Sequence, residues 1–240
     1  MRFEPKVLMR HSEWKQIARA CLAEFFGTGL LILFALLMHN KDIYCHIANL
    51  SLNIWFTGPV SGGHINPWVT LLFTLQGKVP FVTCVLYILS QILGATTGSA
   101  FAIFVLANVY NDERMNSRYH EVGMLRVRPA SDIGGTRTDS VYVIYFILEM
   151  LAATFFYLTV LSVSDHRRHE LRSWDGSCTF LGAFLIGFSL IPGWAICAEL
   201  TADCVNPIRA LGPAIANFQL GKLFVSVFMR NLYLSDLSFF

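Results

Sequence analysis

Long apolar runs separated by short charged turns dominate this chain. The pattern predicts five membrane-spanning helices, at about 17–38, 43–57, 81–106, 141–163 and 180–197. About twenty apolar residues are needed to cross the hydrocarbon core of a bilayer as a helix. A last apolar run, 218–240, is interrupted by Arg230 and Asp236, so it predicts a sixth span that is short or atypical.

Two polar stretches break this pattern. Residues 61–70 read SGGHINPWVT, and residues 201–213 read TADCVNPIRALGP. Asparagine is a preferred N-cap and proline is preferred at the first helical position, so Asn66 and Asn206 are each predicted to start a helix. Because only about ten residues with little charge follow each asparagine, both segments are predicted to be half-helices that cannot span the membrane.

The two halves of the chain repeat one order of features. Glu24 in the first span and Glu149 in the fourth lie in similar sequences, and each half then adds a span and an Asn-Pro stretch. Three spans separate equivalent features, so the second half is inverted. We therefore predict an all-α membrane protein with one channel domain over 1–240, made of repeat 1 (about 14–107), an extracellular loop (108–139) and repeat 2 (about 140–240).

Composition narrows the function classes. The chain is 55% hydrophobic and only 14% charged, whereas soluble domains carry about 25% charged residues. The sequence has no basic patch interleaved with aromatics, no catalytic constellation and no nucleotide motif, so we expect neither a nucleic-acid partner nor an enzyme. We expect no cofactor and no metal, and we interpret the six cysteines as small apolar residues.

The order of short motifs resembles the aquaporin (major intrinsic protein) family. The matching motifs are AEFFGT at 23–28, SGGHINPWVT at 61–70, YILSQILGA at 87–95, GFSL at 187–190 and NPIRALGP at 206–213. They extend over about 17–217. The resemblance implies an inverted-repeat bundle of six spans with two half-helices that meet at the midplane. It also implies a homotetramer with one pore in each subunit.

The resemblance assigns three groups of site residues. They are the pore asparagines Asn66 and Asn206, a selectivity filter of His46, Trp194, Asp203 and Arg209, and a loop buttress of Glu24, His64 and Glu149. Other interpretations stay open. His46 can be a packed core residue, Trp194 an interface anchor, and the two glutamates a proton relay. Asp203 can pair with Arg209 or lie in water at the pore mouth.

Two positions depart from the family pattern. Trp68 and Ile208 follow the two Asn-Pro pairs, where the family usually has alanine. The large ring of Trp68 requires either that the two half-helices are further apart at the midplane or that the ring points towards a neighbouring span. Asn49 and Ser51 form a glycosylation acceptor motif, which we expect to be unused because it lies in the second span.

These features predict a passive water channel that excludes ions and protons. Two positive helix ends at the midplane oppose cation conduction. By resemblance, Ala210 after the arginine and Trp194 in the filter favour water, whereas His46 favours small neutral solutes such as glycerol. A non-conducting structural or adhesion protein is the other alternative. Lys and Arg in the short loops place the N-terminus in the cytoplasm, and we expect a plasma-membrane protein.

Overall fold

The computed structural model describes residues 11–38, 43–109, 139–165, 167–173, 176–197 and 205–217. Within these ranges lie eight α-helices. They are α1 (His11–Leu37), α2 (Ile43–Ser61), α3 (Pro67–Leu75), α4 (Phe81–Val109), α5 (Asp139–Val163), α6 (Phe180–Phe188), α7 (Leu190–Cys197) and α8 (Ile208–Ala216). The predicted extracellular loop, apart from its two ends, and the predicted sixth span lie outside the described residues.

Four segments of the described chain are long and apolar enough to cross a membrane. They are Trp14–Leu37, Phe81–Leu106, Phe146–Val163 and Phe180–Cys197. Helix α2 has 19 residues but is not among them, because several polar side chains lie inside it. Four of them, Asn49, Ser51, Asn53 and Thr57, are buried in the protein and do not face lipid.

The predicted fifth span, Phe180–Cys197, is long and apolar enough to cross a membrane and has a local irregularity at Ser189. Helix α6 ends at Phe188, and Ser189 forms its C-cap, with a backbone N–H that bonds back to Leu185 and Ile186. Helix α7 then begins at Leu190. Pro192 gives the physical reason, because proline has no N–H with which to bond the carbonyl four residues earlier.

Glycines allow α1 and α4 to cross at close range. The positions of Gly94 and Gly98 on α4 face the backbone carbonyls of Phe25 and Gly29 on α1, and a Cβ at either glycine would overlap those oxygens. Small residues four apart allow this approach between helices in membranes. The crossing fixes Glu24, which lies next to Phe25, against α4.

Two further close contacts connect the halves of the bundle. Gly212 on α8 packs against Ala95 on α4. Gly187 on α6 packs against Ile47 and Ser51 on α2. The second half-helix therefore lies against the first repeat, and this contact brings the two Asn-Pro segments together.

The outer faces of the helices are apolar. Leu22, Phe26 and Leu30 follow one face of α1 at intervals of four residues, and all three are more than a third exposed. Similar exposed rows lie on α4 and α5. Contiguous exposed apolar surface of this extent is uncommon on soluble monomers and is typical of a surface in contact with lipid.

Candidate functional site

The first Asn-Pro segment is a tight loop followed by a short helix. Gly62, Gly63 and Ile65 have positive φ angles of 92°, 67° and 39°. A Cβ at Gly63 would lie 2.8 Å from the carbonyl oxygen of Ile54, so the loop packs directly on the backbone of α2. Asn66 then caps α3, since its Oδ1 accepts a bond of 2.9 Å from the Trp68 N–H.

The second Asn-Pro segment has the same local chemistry. The Oδ1 of Asn206 accepts a bond from the Ile208 N–H at 3.3 Å. Pro207 has helical angles, and its carbonyl accepts from Leu211 at 3.0 Å. Helices α3 and α8 have nine residues each, close to the ten expected.

The two segments are bonded to each other through their asparagines. Asn206 Nδ2 donates to the carbonyl of Ile65 at 2.9 Å, and Asn66 Nδ2 donates to the carbonyl of Val205 at 3.4 Å. All four residues are at least nine-tenths buried. The N-terminal ends of α3 and α8, which carry partial positive charge, therefore meet inside the protein.

Glu24 holds the loop before Asn66. Its Oε1 accepts bonds from Ser61 Oγ at 2.6 Å and His64 N at 3.0 Å. Its Oε2 accepts from Ile65 N and from Gln91 Nε2, each at 2.7 Å. A fully buried carboxylate needs such partners, because leaving it unpaired is costly. Glu24 thus fixes the strained loop that positions Asn66.

Other polar side chains extend this network. Gln91 Nε2 also donates to Thr70 Oγ1 at 3.0 Å, and His64 Nδ1 lies 3.1 Å from the same hydroxyl. Tyr87 donates its hydroxyl proton to the carbonyl of Ser61 at 3.0 Å. The ring of His64 packs against those of Phe73 and Tyr87. The predicted buttress residue His64 is therefore part of the Glu24 network.

A tyrosine of α5 supports the second segment. Tyr157 on α5 donates its hydroxyl proton to the carbonyl of Val205 at 2.6 Å. Glu149, the predicted counterpart of Glu24, is half-buried on the same helix, two turns away. Sequence reasoning did not identify Tyr157, since nothing in its local sequence indicates a partner 48 positions later.

Two of the four predicted filter residues, His46 and Arg209, line one cavity. The rings of His46 on α2 and Trp194 on α7 lie 5.2 Å apart, tilted by 33°. Arg209, in the first turn of α8, is half-buried and lines the same cavity as His46. Trp194 joins this group through its contact with the His46 ring. Asp203 lies outside the described residues.

The cavity has a volume of about 330 Å³ and includes both pore asparagines in its wall. The residues that line it also include His46, Arg209, Lys78, Arg172 and Cys178. Cys178 precedes α6, and Trp194, whose ring contacts that of His46, is near the end of α7, so His46 and Cys178 lie at opposite ends of the helix pair. The cavity thus follows the bundle axis past the asparagine pair.

The residues after the two prolines have different surroundings. Trp68 is 54% exposed, whereas Ile208 is fully buried and packs beside Ala95 and Ile32. The hydrogen bonds between the two Asn-Pro loops are present, so the two half-helices are not pushed apart at the midplane. The ring of Trp68 points outward instead. Across the described residues, no group of three or more His, Cys, Asp or Glu side chains forms a metal site.

This chain is similar to known membrane channels over most of its length. The Major intrinsic protein family profile matches residues 11–229. Aquaporin A of Dictyostelium discoideum is 30% identical over 166 residues, which cover 69% of this chain and 52% of that protein. Aquaporin-8 of Notomys alexis is 27% identical over 93% of this chain and 84% of its own. The glycerol uptake facilitator protein of Buchnera aphidicola is 26% identical over 84% and 80%.

A solved structure has a similar fold. The aquaglyceroporin from Plasmodium falciparum superposes with a TM-score of 0.63, at 19% identity, over 90% of this chain and 86% of its own. This likeness confirms the predicted aquaporin-like helical membrane fold. With the family match over residues 11–229 and four membrane-length apolar segments, the chain belongs to the major intrinsic protein family and is an integral membrane protein.

Proposed function

We propose that this protein is a passive water channel that excludes ions and protons. One observation carries the proposal: the buried amides of Asn66 and Asn206 face each other across the Asn-Pro loops and line the same cavity as Arg209. An asparagine amide has two N–H donors, and Asn66 uses one of them for the opposite loop, so it can offer the other to a water oxygen. Relatives of this chain are named as aquaporins and as a glycerol facilitator, which supports a channel for water or small solutes.

The outer constriction supports a narrow path. The rings of His46 and Trp194 are in contact at 5.2 Å, and His46 lines the same cavity as Arg209, so these three residues would form the outer constriction. By resemblance, glycerol-conducting members place Asp after the arginine and Gly at the position of Trp194. This chain has Ala210 and a tryptophan there, which favours water.

The charges around the cavity support the exclusion of cations and protons. Two helix N-termini meet at its centre, and Arg209, Lys78 and Arg172 line its wall. No aspartate or glutamate is among the described residues that line it. A cation in this cavity would meet positive charge at several points, and a proton would meet the same barrier.

Small neutral solutes such as glycerol are the first alternative substrate. His46 occupies the position where strict water channels of this family have an aromatic ring, and the Buchnera aphidicola relative is named as a glycerol uptake facilitator. A non-conducting structural or adhesion role is the second alternative, supported by Trp68 and by the interrupted run at 218–240.

Three further expectations belong to this proposal. The Lys and Arg residues of the short loops support a cytoplasmic N-terminus, with Lys78 and the loop of Arg172 on that side. Family resemblance supports a homotetramer in the plasma membrane. It also supports a loop-buttress role for Glu149, as the counterpart of Glu24.

Stopped-flow light scattering on proteoliposomes tests the proposal. Vesicles that contain the full chain are exposed to an osmotic gradient, first of an impermeant sugar and then of glycerol. We expect water permeability well above that of protein-free vesicles, with a low activation energy. Folded protein with no increase in water or glycerol permeability would exclude a channel and favour the structural role.

A further inference from the structure

A row of buried polar side chains runs along α2. Asn49, Asn53 and Thr57 are spaced four residues apart and have exposed fractions of 6%, 3% and 6%. Side chains four apart share one face of a helix. This face lies against α1, since a Cβ at Gly27 would touch the Thr57 side chain. Apolar packing between the two helices does not require polar side chains at these positions. The polar row therefore has another explanation.

Hydrogen bonds hold the first amide of the row in a fixed orientation. Asn49 Nδ2 donates to the carbonyl of Leu31 at 2.9 Å. Asn49 Oδ1 accepts from Asn53 Nδ2 at 2.9 Å, and Thr57 Oγ1 donates to the carbonyl of Asn53 at 2.6 Å. An amide has two donors and two acceptor lone pairs, so these bonds leave Asn49 one N–H and one lone pair.

Asn49 is also the member of this row that reaches the cavity. It lines the cavity wall together with Leu50 and Ile54, whereas Asn53 and Thr57 do not. It lies three residues beyond His46 on α2, a distance of about 4.5 Å along the axis. The Gly63 turn before Asn66 packs further along α2, against Ile54. Asn49 therefore lies between the outer constriction and the asparagine pair.

We propose that Asn49 is a further specificity-determining residue of the channel, which contacts the permeating solute and favours small neutral molecules with two or more hydroxyl or amide groups. This inference rests on the proposed channel function in its first alternative form, in which the channel also conducts small neutral solutes such as glycerol. A polyol that has passed the constriction fills the path and separates the water molecules on either side of it. Its hydroxyl groups therefore depend on polar groups in the wall for hydrogen bonds. In a continuous row of water molecules, each water can form hydrogen bonds with the waters next to it. Water therefore depends less on Asn49.

The ratio of glycerol to water permeability tests this role. Asn49→Leu keeps the branching and the number of heavy atoms of the side chain but has no polar group, and it is measured in full-length protein in proteoliposomes. We expect the ratio to fall about two- to tenfold, the effect of one neutral hydrogen bond, while water permeability is retained. Thr57→Val is the matched control, because it removes a hydroxyl from the same row but not from the cavity wall, and its ratio should equal that of the wild type.

A second variant addresses folding. Asn49→Leu removes one of the two acceptors of Asn53 Nδ2, which keeps its bond of 2.8 Å to the Asn49 carbonyl. Asn49→Leu/Asn53→Leu removes both amides and should give the same fall in a stable protein. An unchanged ratio in either folded variant would overturn the proposal, as would an equal fall in Thr57→Val. A wild-type chain that conducts water but neither glycerol nor urea would also overturn it, while leaving the channel intact. A wild-type chain that conducts none of the three would overturn the channel function itself.

Discussion

Asn66 and Asn206 each bond the loop that carries the other. Asn206 Nδ2 lies 2.9 Å from the carbonyl oxygen of Ile65, and Asn66 Nδ2 lies 3.4 Å from that of Val205. The same two side chains cap α3 and α8 through their oxygens. Each asparagine therefore starts its own half-helix and also connects it to the other half of the chain.

The unequal distances predict unequal contributions to stability. An aspartate at either position keeps the capping oxygen but has no N–H to donate. We expect Asn206→Asp to lower the free energy of unfolding by about 1–3 kcal/mol, because the buried Ile65 carbonyl loses its donor. Asn66→Asp should cost less, since its bond is longer and Val205 keeps the bond from Tyr157.

Denaturant unfolding of detergent-solubilised protein, followed by circular dichroism, measures both variants. Equal losses would show that the two cross-loop bonds are equivalent and that the difference in distance has no energetic meaning. A larger loss for Asn66→Asp would contradict the prediction directly.

Glu24 should be the most sensitive carboxylate in the described chain. Glu24→Gln replaces one acceptor oxygen with a donor that faces N–H or O–H groups, so two bonds to a charged group are lost. Each such bond contributes about 1.5 kcal/mol or more, so we expect a loss of about 3 kcal/mol and a large fall in water permeability. Thermal unfolding and vesicle swelling measure the two effects.

Glu170→Gln is the control for that substitution, because Glu170 is exposed in the turn at His169–Leu171. It should change the free energy of unfolding by no more than about 0.5 kcal/mol. If Glu24→Gln were as well tolerated as this control, Glu24 would not fix the loop.

The parts of the fold that were predictable depend on local sequence. The apolar runs predicted the membrane-spanning helices. The preference of Asn for the N-cap and of Pro for the first helical position predicted the starts of α3 and α8. The irregularity at Ser189, within the predicted fifth span, also has a local cause, since Pro192 follows three residues later. Tyr87 and Tyr157 could not be assigned, because their acceptors lie 26 and 48 positions away and the pairing depends on how the helices cross.

The two tyrosines should stabilise corresponding loops. Tyr157→Phe removes the bond to Val205, and Tyr87→Phe removes the bond to Ser61, while each phenylalanine keeps the ring packing. We expect each to cost about 1 kcal/mol, the usual net value of one hydrogen bond. Thermal unfolding compares them with Tyr44→Phe, at a 68% exposed position, which should be neutral. A Tyr157→Phe protein as stable as this control would contradict the role of Tyr157.

The thiol of Cys178 should react slowly at neutral pH. Burial raises its pKa from 9.0 to about 11, although the positive charge of Arg172 acts in the opposite direction. Since only the thiolate is nucleophilic, its reactive fraction at pH 8 is about 100-fold below that of an ordinary thiol. The alkylation rate should then rise about tenfold for each pH unit until the pH approaches 11.

Peptide mapping by mass spectrometry after iodoacetamide treatment gives the rate at Cys178 separately from the other cysteines, with a cysteine peptide as the reference. A rate that levels off near pH 9 would show an ordinary thiol. Because Cys178 lines the cavity, alkylation should also lower water permeability in parallel with modification.

Arg209 should set the barrier to cations. It is half-buried, lines the cavity with His46 and lies in the first turn of α8. A charge in the membrane interior is expensive and is usually retained for function. In Arg209→Val we expect proton or cation leak to rise about fivefold or more, since a unit charge about 4 Å away costs a cation at least about 1 kcal/mol. Water permeability should persist, because both asparagines are intact.

Proton flux is measured with a pH-sensitive dye trapped in proteoliposomes. Arg168→Val is the matched control, since Arg168 is exposed in the loop after α5, and its leak should equal that of the wild type. Arg209→Lys should restore most of the barrier, because it returns the positive charge without the planar guanidinium. If the leak of Arg209→Val matched that of the wild type, the exclusion of cations would have to come from the two helix ends at the asparagine pair.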